Sequence, residues 1–130
     1  MYDKYLIVGE VFKNVEQGGQ VTGFQLGLRL PYYRGVVLSL VGEMVIKVDG
    51  EQVPVGDMSV TVGGKTLPVS QLENEPVAKW EFGEVGILTV KKPGGLKPGE
   101  HKVEFSQHML ISYVPTGFWG HDEKTLHLAA

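Results

Sequence analysis

The sequence predicts an all-β protein: a single-domain antiparallel β-sandwich or flattened barrel spanning residues 1–130, with long bent strands and turns rich in glycine and proline. Three observations carry this. Apolar residues alternate with polar ones in run after run, the period of a strand with one buried face. Glycine and proline punctuate the runs at intervals of about 8–15 residues, a spacing typical of antiparallel sandwiches and barrels. No segment longer than about ten residues places apolar side chains at the i, i+3, i+4 spacing of a helix.

Taken in order, Tyr5 to Phe12 predicts a first strand with Leu6, Val8 and Phe12 in phase, and Asn14 to Gln20 a glycine-bearing turn. Phe24, Leu26, Leu28 and Leu30 form the apolar face of the next strand, which Pro31 ends because proline has no N–H for a ladder. Tyr32, Tyr33 and Arg34 follow at a turn. A longer run has Leu38, Leu40, Met44, Ile46 and Val48 in phase, with Gly42 leaving a gap on the same face. At about 3.3 Å per residue such a strand is too long to stay flat, so a bend or bulge is expected near Gly42. Asp49-Gly50 is a strong hairpin signal. Met58 to Val62, the Gly63-Gly64 turn and a return arm through Pro68 predict a second hairpin with an edge strand. Ser70 to Lys79 reads as an exposed loop with at most one helical turn. Trp80 and Phe82 belong to a short strand and Ile87 to Lys91 to another. Lys91 to Glu100, KKPGGLKPGE, is a surface connection. The last long strand carries Val103, Phe105, Met109, Ile111 and Tyr113 on one face, with Gln107 as a polar exception, and Pro115 stops it. The tail, about 115–130, is expected to be extended and to pack on the core or on a partner, with Leu126 and Leu128 adding at most a short closing strand.

Composition removes several functional classes. Of 130 residues, 42% are hydrophobic and 21% charged, with 18 glycines and 7 prolines, which fits a turn-rich globular chain rather than a disordered one. Without cysteine there is neither a disulfide nor a thiolate metal site, and a reducing, cytoplasmic location is expected. The N-terminus lacks the basic and small-residue pattern of a signal peptide, and no apolar run approaches the ~20 residues that span a bilayer. A net charge of −3 with scattered lysines argues against nucleic acid and anionic membrane.

Chemistry-bearing patterns are sparse. The four histidines, His101, His108, His121 and His127, form no HxH or HExxH arrangement. His121-Asp122-Glu123 is half a metal site at most, because adjacent residues rarely converge on one ion. GxSxG, GxGxxG and GxxxxGK[ST] are absent, and Glu43 lies out of phase with the core residues, where it is expected to face solvent or a cross-strand partner rather than a cleft. Two aromatic sites stand out instead. Tyr32, Tyr33 and Arg34 at a loop tip, and Phe118-Trp119 between two glycines, supply flat apolar area and a forked cation, types enriched at interface hot spots.

The series GFQLGLRLPYYRGVVLSL, VDG, KWEFGE, PGGLKPGEHKVEF and SYVP resembles the small β subunit of bacterial C-glycoside deglycosidases, through nearly the whole chain and in order. YYRG and PGGLxxGxH are its more specific pieces. The resemblance implies an accessory, non-catalytic subunit of a carbon–carbon lyase, inactive on its own. A larger α subunit, a TIM-barrel-like protein similar to sugar isomerases, is expected to carry a divalent metal of the manganese type and the catalytic base, in a hetero-oligomer of αβ units acting on 3-oxo forms of flavonoid-type C-glucosides. No catalytic, cofactor or metal residue is implied on this chain. Tyr32, Tyr33, Arg34, Phe118, Trp119 and His121 are its candidates for partner contact or for the mouth of the active site. The competing reading is a free-standing carbohydrate-binding sandwich with a tyrosine and tryptophan platform.

Overall fold

The computed structural model describes residues 6–31, 35–75, 78–81, 83–110 and 117–128, with Phe118 described in its backbone only. Eleven strands appear among them: β1 (Ile7–Gln17), β2 (Gln20–Leu28), β3 (Val36–Val37), β4 (Val41–Val48), β5 (Glu51–Gln52), β6 (Met58–Val62), β7 (Lys65–Pro68), β8 (Lys79–Trp80), β9 (Gly86–Lys91), β10 (Gly99–Met109) and β11 (Phe118–Leu128). One sheet runs β1-β2-β9-β6-β7, a second β11-β10-β4-β5, and β3 and β8 pair separately. Every pairing is antiparallel, and the two larger sheets do not close into a barrel, so of the two predicted architectures the sandwich is the one formed. No helix among the described residues is long and apolar enough to cross a membrane.

The alternating faces predicted from sequence meet in one core. Phe24, Leu26, Leu28, Val60, Leu88 and Val90 from the first sheet pack with Met44, Ile46, Val48, Val103, Phe105 and Met109 from the second. Trp80 is fully buried beside them and donates its indole N–H to the Glu84 carbonyl at 2.8 Å. Gly86 makes room for it, since a Cβ there would stand 2.5 Å from the indole ring.

Several elements differ from expectation. The first strand continues to Gln17 and the turn shrinks to Gly18-Gly19, both with positive φ, which is why two glycines occupy it. The long strand expected from Val36 to Val48 is interrupted by a 3-10 turn at Leu38–Leu40. Where an exposed loop was expected to begin, Val69–Asn74 forms a 3-10 segment that buries Val69 and Leu72. The largest difference is β11. A full eleven-residue strand pairs with β10 from Gly99↔Leu128 to Met109↔Phe118, where only a short closing strand was expected. Its inward row includes Asp122 and Lys124, so hydrophobic alternation does not reveal it. These side chains face the β1 edge. Asp122 accepts the Ile7 N–H at 3.0 Å and Lys124 donates to the Ile7 carbonyl at 2.7 Å. Polar side chains here join the two sheets through backbone groups that an edge strand leaves unpaired. Phe82, Ile111, Tyr113 and Pro115 lie outside the described residues.

The bend expected at Gly42 and the polar exception at Gln107 are one feature. Between Gln107↔Met44 and Met109↔Val41 the register advances two residues on β10 and three on β4, placing a bulge at Gly42-Glu43 opposite His108. A Cβ on Gly42 would meet the His108 carbonyl at 2.8 Å. Gln107, fully buried, points its amide nitrogen at the carbonyls of Gly42 (3.1 Å), Glu43 (3.2 Å) and His108 (2.8 Å). The donor thus satisfies carbonyls that the bulge displaces from the ladder. Gln107→Leu keeps the volume and removes the donor. It is expected to cost about 1–3 kcal/mol of unfolding free energy, the penalty for leaving buried acceptors unpaired. Urea unfolding measures this, and an unchanged midpoint would refute the role.

Candidate functional site

The outward rows of β4, β10 and β11 form a polar face whose geometry follows from register. Val45, Ser106 and His121 stand in one row and Lys47, Glu104 and Glu123 in the next, and His108 pairs with Trp119. Trp119 is 53% exposed, and its indole stacks on the His108 ring at 4.9 Å with the planes 20° apart. That contact fixes the orientation of a large side chain otherwise free in solvent. Leu110, one residue past β10, donates its N–H to the Leu40 carbonyl at 2.9 Å, and both leucines are exposed at the same end of the sheet as Trp119. Val45, Lys47, Glu104, Ser106, Trp119 and His121 line a shallow depression of about 330 Å³.

Strand alternation divides the His121-Asp122-Glu123 triplet. His121 and Glu123 face outward and Asp122 faces the β1 edge. His121 instead gains Glu104 across the ladder, and Glu104, His121 and Glu123 bring potential ligand atoms within 4.8 Å of one another. This is the one group among the described residues that could hold a metal ion. Two of its members, His121 and Glu123, are already engaged. Ser106 Oγ lies 2.8 Å from His121 Nδ1, and Lys102 Nζ sits 3.2 Å from Glu123 Oε2. The hydrogen bond from Lys102, then that from His121, holds the Glu123 carboxyl below its usual range, and Glu123 raises Lys102 in turn. The group is open to solvent, so these contacts form a surface charge lattice.

A second concavity lies where the sheets part. Phe24 and Val90 from the first sheet face Val48 and His101 from the second across about 360 Å³. His101, only 11% exposed in its side chain, is the functional-type residue that sequence reading passed over. Its Nε2–H donates to the Lys97 carbonyl at 2.7 Å, and its Nδ1 lies 2.6 Å from Asp49 Oδ2. The Lys97 carbonyl and an ionised Asp49 both accept, an arrangement that favours the doubly protonated, positively charged ring. The Lys97 carbonyl first, then Asp49, raises the His101 pKa. The hydrogen bond from His101, followed by the Lys102 N–H, lowers that of Asp49. The only signal in sequence was the D-G turn, and nothing there indicates that residue 101 reaches it.

Of the residues singled out beforehand, Trp119 and His121 share the outer face and line the same depression. Tyr32, Tyr33 and Arg34 lie outside the described residues, as does the side chain of Phe118.

Comparison with known proteins decides the family. A family described as "CGDB: C-glycoside deglycosidase beta subunit" matches residues 2–113. The chain belongs to that family. A relative from Eubacterium cellulosolvens (strain ATCC 43171 / JCM 9499 / 6), named C-glycoside deglycosidase beta subunit, is 32% identical over 114 residues, covering 87% of this chain and 78% of its own length. The family match ends before β11, so Trp119 and His121 lie beyond it, whereas Tyr32, Tyr33, Arg34, Asp49 and His101 lie within it.

The His101–Asp49 pair predicts a pH profile for this β-subunit family member. With its pKa raised in the fold, His101 contributes stability fully present below its unfolded value of 6.5 and lost as pH rises through the folded one. With its pKa lowered, Asp49 contributes stability present above 3.8 and lost as pH falls through its folded value. The pair is therefore most stabilising between those two pH values. His101→Gln should lose more stability relative to the parent at about pH 5 than at about pH 9, by chemical unfolding at each pH. A difference constant across that range would refute the charged assignment.

Proposed function

We propose that this chain is the accessory, non-catalytic β subunit of a heteromeric C-glycoside deglycosidase, a carbon–carbon lyase. The observation that carries this reading is the family match over residues 2–113, to proteins named as beta subunits. The site chemistry agrees with it. Glu123 and His121 on the outer face are tied into a solvent-open lattice with Lys102 and Ser106, and His101 has both ring nitrogens committed to structural partners.

The partner is a larger α subunit of TIM-barrel type carrying a divalent metal and the base, and the substrates are 3-oxo-glucosyl C-glycosides of the flavonoid kind. The chemistry explains why a glycosidase carboxylate pair is not the tool. An aryl carbon offers no leaving oxygen to protonate. A ketone at C3 acidifies the C2 proton so that a base on the partner can remove it, and a divalent metal there would supply positive charge to offset the negative charge that develops. The bond from C1 to the aryl carbon then breaks, leaving a C1–C2 double bond in the sugar, and the aryl carbon takes a proton. The role of this chain is to dock on the partner and shape the mouth of that site. Trp119, with Leu40 and Leu110 at the same sheet end, supplies exposed apolar area, and the Tyr32, Tyr33 and Arg34 segment supplies hot-spot residue types.

Co-expression with the α-type protein should yield one complex on size exclusion, and only the complex should release aglycone from a 3-oxo-C-glucoside. Trp119→Ala should weaken assembly on the order of tenfold or more while the isolated chain keeps its unfolding midpoint. Proteins that elute separately, or turnover by this chain alone, would defeat the proposal.

A second reading, a carbohydrate-binding module, is favoured by one observation: Trp119 stands in a 330 Å³ depression beside Glu104, Lys47 and Ser106. It requires saturable glucoside binding by the isolated chain, lost in Trp119→Ala.

A further inference from the structure

We propose that the mouth between the two sheets is a binding site for a small aromatic carboxylate. This goes beyond subunit assembly and does not depend on it. Three observations point the same way.

The cavity has an apolar interior. Phe24, Val48, Val53, Val90 and Leu96 line its 360 Å³, within the size range of small-molecule sites. Phe24 meets Phe12 edge-on at 6.5 Å, and Phe12 meets the His101 ring at 6.0 Å, so an aromatic cluster stands behind it.

One wall is built rather than loose. Leu96 exchanges two hydrogen bonds with the Asn14 side chain, at 2.9 and 3.0 Å. Gly94 donates to the Val21 carbonyl at 2.9 Å and Lys92 to that of Thr22 at 3.0 Å. His101 holds the Lys97 carbonyl. Gly95 has a positive φ, and a Cβ on it would lie 2.5 Å from Asn14 Oδ1. A glycine-proline connection that sequence marks as a plain surface turn is thus bonded along its length. Preorganised walls reduce the ordering cost that opposes binding of a small molecule.

The rim leaves cations available. Lys91, Lys92 and Lys97 take part in no ion pair among the described residues. Of the acids on the rim, Asp49 is occupied by His101 at 2.6 Å, which leaves Glu51 and Asp57 on the 51–57 segment. The 91–97 segment is therefore the positive lip. The ligand that fits places a flat ring against the apolar interior and its carboxylate at that lip, where an ammonium donates charge-assisted hydrogen bonds.

Amide NMR of the full-length chain titrated with benzoate and 4-hydroxybenzoate tests this. Expected are saturable shifts at Val53, Gly95, Leu96 and His101, none at Trp119 or His121, with a Kd on the order of 1 mM or tighter. Benzamide should bind about tenfold more weakly, as should the Lys92→Glu/Lys97→Glu variant, whose substituted side chains are exposed and leave the core intact. Three outcomes would overturn the proposal: no saturable shift at about ten times that concentration, shifts confined to the outer face, or affinity unaltered by reversing both lysines. Co-purification with the α protein is a separate measurement, so a negative titration leaves the subunit reading intact.

Discussion

Strand β10 is hydrogen-bonded on both sides, to β4 and to β11, and the rest of the molecule depends on its register. Its odd-numbered side chains, Val103, Phe105, Gln107 and Met109, are sealed into the core, so a slip of one residue would bury Glu104 and Ser106 instead. That constraint sets the outer face as well. Once Phe105 points inward, Glu104 must stand opposite Glu123, Ser106 opposite His121 and His108 opposite Trp119. The features of the outer face are consequences of packing on the other side of the sheet.

The bulge at Gly42-Glu43 tests how firmly that register is held. An extra residue on β4 leaves displaced carbonyls, and a buried glutamine amide collects them. An apolar side chain would fill the space equally well but leave the acceptors dry, which is the more serious cost in a low-dielectric interior. The same logic operates at the seam between sheets. Asp122 and Lys124 are spent on the N–H and carbonyl of Ile7, and the two long outer strands β1 and β11 are joined without forming a continuous ladder. Polar side chains at both places serve the backbone.

The family provides a frame in which this economy makes sense. Two titratable groups on this surface are satisfied by near neighbours: Glu123 by Lys102, and His101 by Asp49 and the Lys97 carbonyl. What the surface keeps open is apolar area at one end of the second sheet and a lysine-rimmed cavity between the sheets, features suited to contact and binding. The two are spatially distinct, one on the outer face and one at the opening of the core.

The all-β class, the hairpins at Asp49-Gly50 and Gly63-Gly64 and the buried faces of β2, β4, β6 and β10 were legible in the sequence, because period-two alternation and positive-φ turn residues are local properties. The family resemblance was legible too, in the ordered series from GFQLGLRL to SYVP. The long strand β11 was not, since its inward row meets a neighbouring backbone and carries Gly120, Asp122 and Lys124 where a core-facing strand carries aliphatics. His101 was not, because its partners Asp49 and Lys97 are brought to it only when the hairpin turn and the 91–97 connection close over the same cavity. Local chemistry decides which faces are apolar; which polar groups meet is decided by long-range strand pairing, and that exists only in the folded sandwich.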